Sequence, residues 1–349
     1  MARRRRWASA DPLRWRRVPA DPLHLLGSGA SGRQSLPTAS PAPMNPAALL
    51  RAMRPHQWVK NVFVLAALVF ALGEAGPETA STADRLIRVL LATGAFCLGA
   101  SAIYLVNDVV DVESDRQHPK KRRRPIAAGE LSVPAALFAS VGCVAASLAL
   151  AHAATPPVEE AGAGSVVLVV GVYMVSNLLY SLKLKQFAIV DAFLIALGFM
   201  LRVVAGAYAA AAPISHWLLL STLFLALFLA FCKRRAEMDL LGDDASQHRK
   251  NLGQYTPEFL EQVTSVLSGC AIITYAMYTV DEETTAKFGE ENHLVWSVPF
   301  VVFGLFRYLL IVQRQEGGGS PTRVLLGGDV IFVINAALWG AMVLGCLFL

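Results

Sequence analysis

Long apolar runs separated by short polar segments constrain this chain more than any other feature. A run of about 20 apolar residues crosses the ~30 Å hydrocarbon core of a bilayer as a helix. Hydrophobic residues make up 55% of the 349, charged residues 16%, and the mean hydropathy is +0.48. The runs therefore predict an all-α integral membrane protein with nine transmembrane helices. They lie near residues 58–73, 86–106, 133–153, 165–182, 188–212, 214–231, 263–280, 294–312 and 325–349.

The positively charged residues predict the orientation of these spans, because cytoplasmic loops of membrane proteins are enriched in Lys and Arg. The segment before span one and the loops after spans two, four, six and eight hold nearly all of the 31 Lys and Arg residues. The exceptions are Arg85, Arg88, Lys287 and, within span five, Arg202. We expect the N-terminus and the even-numbered loops in the cytoplasm and the C-terminus outside. The net charge of +5 then reflects topology and gives no reason to invoke nucleic acid.

Residues 1–43 differ from the rest of the chain in composition. They are rich in Arg, Pro, Ser and Ala and lack the apolar core of a signal peptide. We predict a disordered basic N-terminal tail, followed by one transmembrane domain over residues 44–349. An alternative is that Met44 is the true start and that the tail is not translated.

A stretch of carboxylates follows the second apolar run, at its predicted cytoplasmic end. Asp108, Asp111 and Asp115 fall within about 60° of one another on a helix, whereas Glu113 points away. Like charges at these spacings repel, and a hard divalent cation with oxygen ligands relieves that repulsion. Because Mg²⁺ prefers one or two carboxylates plus phosphate oxygens, the stretch predicts a Mg²⁺–diphosphate site. The alternative is an acidic loop neutralised by the basic residues 120–124 that follow.

Four polar residues lie on one helical stripe at the mouth of the first span. They are Arg54, Gln57, Lys60 and Asn61. As donors they would bind an anionic substrate; as an anchor they would hold the span at the interface beside Trp58, with Lys60 extended toward the headgroups. Because anchoring requires neither amide, we favour the donor interpretation.

Span five carries two charged residues on nearly the same helical angle. Asp191 begins the span, after a loop with Tyr180 and Lys185, and Arg202 lies about 16 Å deeper. Charges within a membrane helix face the bundle interior and pair with other groups. Arg202 is therefore predicted to face inward, either toward a substrate or in a structural salt bridge or carbonyl contact.

Several classes of site are absent from the sequence. There is no phosphate-binding Gly-rich loop and no HExxH, and the five cysteines lie in or at the ends of spans without a CxxC, which argues against zinc and disulfides. A transporter remains the alternative from another class, but transporters tend to show paired repeats with broken helices, and none is evident. The polar groups cluster at one membrane face, as suits an enzyme with a cytoplasmic substrate.

The chain resembles the UbiA superfamily of intramembrane prenyltransferases in three features. They are the motif Asn107-Asp108-x-x-Asp111-x-x-x-Asp115, the nine predicted spans and the polar loop between spans four and five. The likeness runs from about residue 50 to the end. It implies a helical bundle around a central cavity, with two Asp-rich motifs that bind Mg²⁺ and the substrate diphosphate.

The second motif departs from the usual pattern of that superfamily. Members that transfer isoprenyl groups generally have two or more aspartates there, whereas here only Asp191 follows Tyr180 and Lys185. Three features resemble the branch typified by decaprenyl-phosphate phosphoribosyltransferase. They are this departure, the sequence Arg-Pro-x-Gln-Trp-Val-Lys-Asn at residues 54–61 and the sequence Lys-Arg-Arg-x-Glu at residues 233–237. That branch implies phosphoribosyl diphosphate as donor, a polyprenyl phosphate as acceptor, a product for cell-wall arabinose donors, and the bacterial inner membrane. The alternative is transfer of an isoprenyl group to an aromatic or other small acceptor.

The resemblance also implies a role for each residue singled out above. The implied catalytic residues and Mg²⁺ ligands are Asp108, Asp111, Asp115 and Asp191. The implied substrate-binding residues are Asn107, Lys60, Gln57, Asn61, Arg122, Arg124, Tyr180, Lys185 and Arg202. The lipid chain length and the oligomeric state stay open.

Overall fold

The architecture comes from a computed structural model, which describes residues 45–71, 81–157, 164–241, 251–282, 284–285, 293–314, 324 and 328–348. The regular secondary structure of these residues is helical. They fall within one compact unit, Pro41–Leu349. The tail predicted over residues 1–43 lies outside the described residues, so its disorder stays a prediction.

The α-helices are α1 (Pro46–Met53), α2 (Val62–Ala71), α3 (Thr82–Val110), α4 (Val112–Gln117), α5 (Val133–Ala154), α6 (Val166–Leu182), α7 (Val190–Ala209), α8 (His216–Leu241), α9 (Pro257–Val280), α10 (Val298–Gln313) and α11 (Val330–Phe348). Short 3₁₀ segments cover Pro55–Asn61, Lys121–Arg123, Leu184–Gln186, Leu252–Gln254 and Leu294–Ser297.

Six helices of the described chain are long and apolar enough to cross a membrane. They are α3, α5, α7, α8, α9 and α10 together with the 3₁₀ segment before it. The apolar helices α6 and α11 are shorter, and α2 is described only over Val62–Ala71. An all-α, multi-pass membrane fold is thus confirmed, whereas the count of nine spans stays a prediction.

Capping chemistry moves two helix starts ahead of the predicted spans. The Ser81 Oγ accepts from the Asp84 N–H (3.1 Å) and the Asp84 carboxylate accepts from the Ser81 N–H (3.3 Å), a capping box that starts α3 before residue 86. Thr256 caps α9 through the Phe259 N–H (3.2 Å), with Pro257 in its first turn. These polar caps lie outside the apolar runs, so hydropathy alone missed them.

Small residues let the helices approach closely, as is usual where lipid offers no hydrophobic driving force between them. Ser140 and Ser147 of α5 donate to the Ala102 and Ala95 carbonyls of α3, at 3.1 and 2.7 Å. Helices α7, α8 and α9 pack together in a hydrophobic core around Phe228.

The crossing of α2 and α7 depends on Gly206. A Cβ at this position would lie 2.0 Å from the Val64 carbonyl oxygen and 3.0 Å from its carbonyl carbon. A side chain therefore cannot be added without separating the helices. The contact also brings Lys60 and Asn61, just ahead of α2, toward Arg202, about one turn before Gly206 on α7.

Candidate active site

The first aspartate motif spans the junction of α3 and α4. Asp111 (φ −89°, ψ 5°) interrupts the helix, but its N–H still reaches the Asn107 carbonyl (2.9 Å), and the Asp115 N–H reaches the Asp111 carbonyl (2.8 Å). The helical phase therefore carries through the break. Asp108 and Asp115 are buried, whereas the Asp111 side chain is 34% exposed and Glu113 faces solvent.

Two arginines neutralise the buried carboxylates. Arg124 Nη1 contacts both Asp108 Oδ1 (3.1 Å) and Asp115 Oδ2 (2.6 Å), and Arg54 also donates to Asp108 Oδ1. Arg54 adopts a left-handed conformation (φ 56°) at the end of α1, which turns its guanidinium over the Tyr104 ring, 4.8 Å from the centroid. Arg122 lies exposed on the surface. Of the basic run, Arg124 is the member whose contacts reach these aspartates in the described chain.

One oxygen of each buried carboxylate is left without a partner. Asp108 Oδ2 and Asp115 Oδ1 are buried and accept no hydrogen bond from any residue that the structure describes. An unpaired buried carboxylate oxygen is unfavourable, and a cation would satisfy both. No group of three or more His, Cys, Asp or Glu side chains in the described chain could hold a metal ion by itself. Two carboxylates completed by phosphate oxygens fit Mg²⁺. The identity of the cofactor stays a prediction.

The loop between α6 and α7 approaches this motif. Lys185 Nζ lies 3.9 Å from Asp111 Oδ2, so the second predicted motif does meet the first. Tyr180, in the last turn of α6, is partly buried and interacts electrostatically with Arg234. Asn107 and Gln57 are also partly buried.

Asp191 lies in a separate, fully buried cluster. Its Oδ2 accepts from Arg234 Nε and Asn251 Nδ2, both at 2.8 Å, and its Oδ1 accepts from the Tyr255 hydroxyl at 3.2 Å. Arg234 also donates to Glu237 Oε2 (2.6 Å). The predicted role of Asp191 as a Mg²⁺ ligand is not supported by these contacts, because both of its oxygens already bind donors.

Arg202 is buried inside the bundle, as its helical position predicted. It donates to Asn61 Oδ1 (2.8 Å), the Gly198 carbonyl (2.7 Å) and the Tyr173 hydroxyl (2.9 Å). Its guanidinium also lies 5.6 Å from the ring centroid of Phe96. All three acceptors are neutral, and no salt bridge to Arg202 occurs among the described residues. Its positive charge is therefore held in place but not neutralised by a carboxylate of the described residues.

Lys60 adds a second cation to this interior site. It lies in the 3₁₀ segment just before α2, since the helix begins at Val62 and not at residue 58 as predicted. Burial, the largest cause, and its charged neighbours together lower the pKa of Lys60 from 10.5 to about 8. Those neighbours are Lys233, Arg202 and Arg54, all of them cations. A site of this kind favours an anion.

Residues from distant parts of the chain were missed by the substrate-binding and metal predictions. They are Tyr173, Arg234, Asn251 and Tyr255. Arg234 sits within a basic run that topology already explained, and only its spacing to Glu237 hinted at an intrahelical pair. The others are polar residues with no local pattern.

Comparisons with known proteins show what this chain is similar to in sequence and in fold. Residues 61–327 match the UbiA prenyltransferase family. The chain is 39% identical to decaprenyl-phosphate phosphoribosyltransferase of Corynebacterium glutamicum over 83% of each protein. It is 33% identical to the protein of that name from Mycolicibacterium smegmatis, over 88% of this chain and 95% of that one. Among solved structures, a UbiA homolog from Archaeoglobus fulgidus bound to GPP and Mg²⁺ has a TM-score of 0.61 at 20% identity, over 86% of this chain and 100% of that one.

Proposed function

The chain belongs to the UbiA prenyltransferase family, and from that premise we propose that it transfers a 5-phosphoribosyl group from phosphoribosyl diphosphate to a polyprenyl phosphate. The relatives named decaprenyl-phosphate phosphoribosyltransferase, 33% and 39% identical over most of their length, support this activity. A product that supplies arabinose donors for the cell wall is part of the proposal. Family membership argues against the transporter alternative.

The observation that carries the choice of substrates is the interior cation pair, Lys60 and Arg202. Neither has a carboxylate partner among the described residues, whereas the Arg54 and Arg124 guanidiniums pair with carboxylates of the first motif. An isoprenyl diphosphate has one anionic group, the diphosphate, and the first motif would bind it. Phosphoribosyl diphosphate has a 5-phosphate as well, and the pair supplies the donors that this second anion needs.

The reaction breaks the bond between C1 of the ribose and the diphosphate oxygen, and forms a bond from C1 to a phosphate oxygen of the lipid. Diphosphate leaves with the bonding electrons, so positive charge develops on the ribose ring. The nucleophile is already an anion, and the site therefore needs no strong general base. Positioning of the two substrates and stabilisation of the leaving group supply the rate enhancement.

Asp108 and Asp115 are the residues that would hold Mg²⁺ through their unpartnered oxygens, with Asp111 beside them. When bound, the ion supplies positive charge that stabilises the leaving diphosphate. Arg54 and Arg124 fix the buried carboxylates, and Lys185, 38% exposed beside Asp111, is placed to contact the diphosphate from the opposite loop.

Transfer of label tests this function directly. Purified protein given phosphoribosyl diphosphate labelled in the ribose, polyprenyl phosphate and Mg²⁺ should move label into the organic phase. Omission of the lipid phosphate should abolish the transfer, and chelation of divalent cations should do the same. Label that stays in water, with transfer instead from labelled geranyl diphosphate to an aromatic acid, would support the isoprenyl alternative.

We also propose that the site faces the cytoplasm of a bacterial inner membrane. Cysteine is introduced at Gln313 or at Glu282, which lie on opposite predicted sides, in a variant that lacks the five native cysteines. A membrane-impermeant maleimide should label Glu282→Cys in intact spheroplasts, and Gln313→Cys only after the membrane is made permeable. The reverse pattern would contradict the orientation derived from the Lys and Arg distribution.

A further inference from the structure

We propose that Asp191 is a positioning residue, not a metal ligand: it holds the loop between α6 and α7 so that Lys185 meets the first aspartate motif. The proposal rests on the proposed function in one respect, that Lys185 contacts the donor. Its other part, the exclusion of Asp191 from metal binding, stands on the contacts of the carboxylate alone.

Both carboxylate oxygens of Asp191 already accept hydrogen bonds from buried protein donors. Arg234 Nε and Asn251 Nδ2 lie 2.8 Å from Oδ2, the Tyr255 hydroxyl lies 3.2 Å from Oδ1, and the side chain is 0% exposed. Mg²⁺ binds oxygens at about 2.0–2.1 Å in octahedral geometry, so it would have to displace these donors, including a buried guanidinium. Asp108 and Asp115 differ, because each has a buried oxygen without a partner.

The same cluster fixes the loop that precedes α7. The Tyr255 hydroxyl, which donates to Asp191, also accepts from the Ile189 N–H. The neighbouring Gln254 accepts from the Ala188 N–H and donates to the Gln186 carbonyl, both at 3.3 Å. The segment that follows α8 thereby holds the main chain of the loop at three points.

Ile189 shows that this fixation is needed. Its φ of 68° is left-handed, which is unfavourable for a β-branched residue and persists only where surrounding contacts impose it. The contact that imposes this conformation is the hydrogen bond from the Ile189 N–H to the Tyr255 hydroxyl. Burial raises the pKa of Tyr255 to about 12, so the hydroxyl keeps its proton and can donate to Asp191 at neutral pH.

The loop carries Lys185 to Asp111, where Nζ and Oδ2 lie 3.9 Å apart. Asp191 therefore acts on the first motif through Tyr255, the Ile189 main chain and Lys185. Without the anchor, the loop can leave its strained conformation and Lys185 is no longer held beside Asp111. The expected consequence is weaker donor binding with the metal site intact.

Asp191→Asn and Tyr255→Phe test the proposal, with Tyr275→Phe as a matched control. Tyr275 is as buried as Tyr255, and its hydroxyl contacts Ser297 and Trp339, away from the site. Each test variant should raise KM for phosphoribosyl diphosphate about tenfold and leave kcat within about threefold, whereas Tyr275→Phe should change neither. A purely structural role would lower the yield of folded protein without changing KM.

Binding of Mn²⁺ in the presence of inorganic diphosphate, followed by electron paramagnetic resonance, tests the metal part without turnover. Both test variants should bind the ion as the wild type does, whereas Asp111→Asn should weaken binding. Weaker Mn²⁺ binding by Asp191→Asn but not by Tyr255→Phe would overturn the proposal. If Asp191→Asn does not fold, Tyr255→Phe with unchanged KM overturns it as well.

A double-mutant cycle tests the route through Lys185. In a Lys185→Ala background, Tyr255→Phe should raise KM little further, because both changes remove the same contact. Additive effects would contradict the route. A wild-type protein that does not turn over phosphoribosyl diphosphate would contradict the proposed function alone, and the Mn²⁺ measurement would still decide the role of Asp191.

Discussion

Asp111→Asn is expected to lower kcat by about a hundredfold to a thousandfold while the melting temperature and expression stay nearly unchanged. The Asp111 side chain is 34% exposed, and its ion pair with Lys185 is long, at 3.9 Å. The amide keeps the shape of the side chain and loses the charge that the metal and the diphosphate require. The measurement is steady-state turnover of labelled donor, with thermal unfolding followed on the same preparation.

Two other variants serve as comparisons for Asp111→Asn. Glu113→Gln changes an exposed carboxylate that pairs with Arg116 and should leave turnover within about twofold. Asp108→Asn should lower both activity and stability, because it removes the buried charge that Arg54 contacts and one of the two that Arg124 contacts. If Asp111→Asn instead lost folding and activity in parallel, the motif would be structural.

Lys60→Ala is expected to weaken binding of phosphoribosyl diphosphate by about tenfold or more, because it removes a partly buried cation that has no carboxylate partner among the described residues. With Mg²⁺, millimolar donor should raise the melting temperature of the wild type, since a ligand that binds only the folded state stabilises it. The variant should show a smaller rise. Stabilisation by geranyl diphosphate should change less, because that ligand has no second phosphate.

The pKa of Lys60 gives this prediction a dependence on pH. Its folded value of about 8 lies below the ordinary 10.5, so between these values the unfolded chain binds the proton that the folded protein has released. The empty protein should therefore gain stability as pH rises through this window, whereas the stabilisation by donor should fall, because the uncharged amine no longer attracts phosphate. Lys60→Ala should lose both trends.

Thermal shifts at pH 7 and pH 9, with and without donor, test these signs. A wild type that is stabilised by geranyl diphosphate but not by millimolar phosphoribosyl diphosphate would contradict the proposed donor and favour the prenyltransferase alternative.

The parts of this protein that follow from local spacing could be predicted from the sequence. Asp108 and Asp115 share a buried face because helical periodicity continues through Asp111, and Arg202 faces inward because lipid excludes it. Hydropathy located the apolar helices but not all of their ends. α8 continues past residue 231 to Leu241, where the Arg235–Asp239 ion pair supports a polar turn that hydropathy does not detect.

The pairing of charges could not be predicted, because it joins residues far apart in the sequence. The family resemblance implied Asp191 as a metal ligand, whereas the sequence itself predicted only that a carboxylate at the start of a membrane helix has a partner or a cation. The cation in the structure is Arg234, 43 residues later, and the amide of Asn251, 60 residues later, is a further donor. The basic run that contains Arg234 was explained by topology, and its spacing to Glu237 indicated a pair within the helix but not the contact with Asp191.

Gly206 bears on how this protein can diverge. Its contact with the Val64 carbonyl joins main-chain atoms, so the separation of α2 and α7 does not depend on which side chains α2 presents to lipid. A residue such as Val62, 51% exposed, can be exchanged for another apolar residue without moving Asn61 relative to Arg202. Apolar substitutions at the lipid surface therefore leave the geometry around Lys60 and Arg202 unchanged, whereas position 206 cannot accept a larger residue.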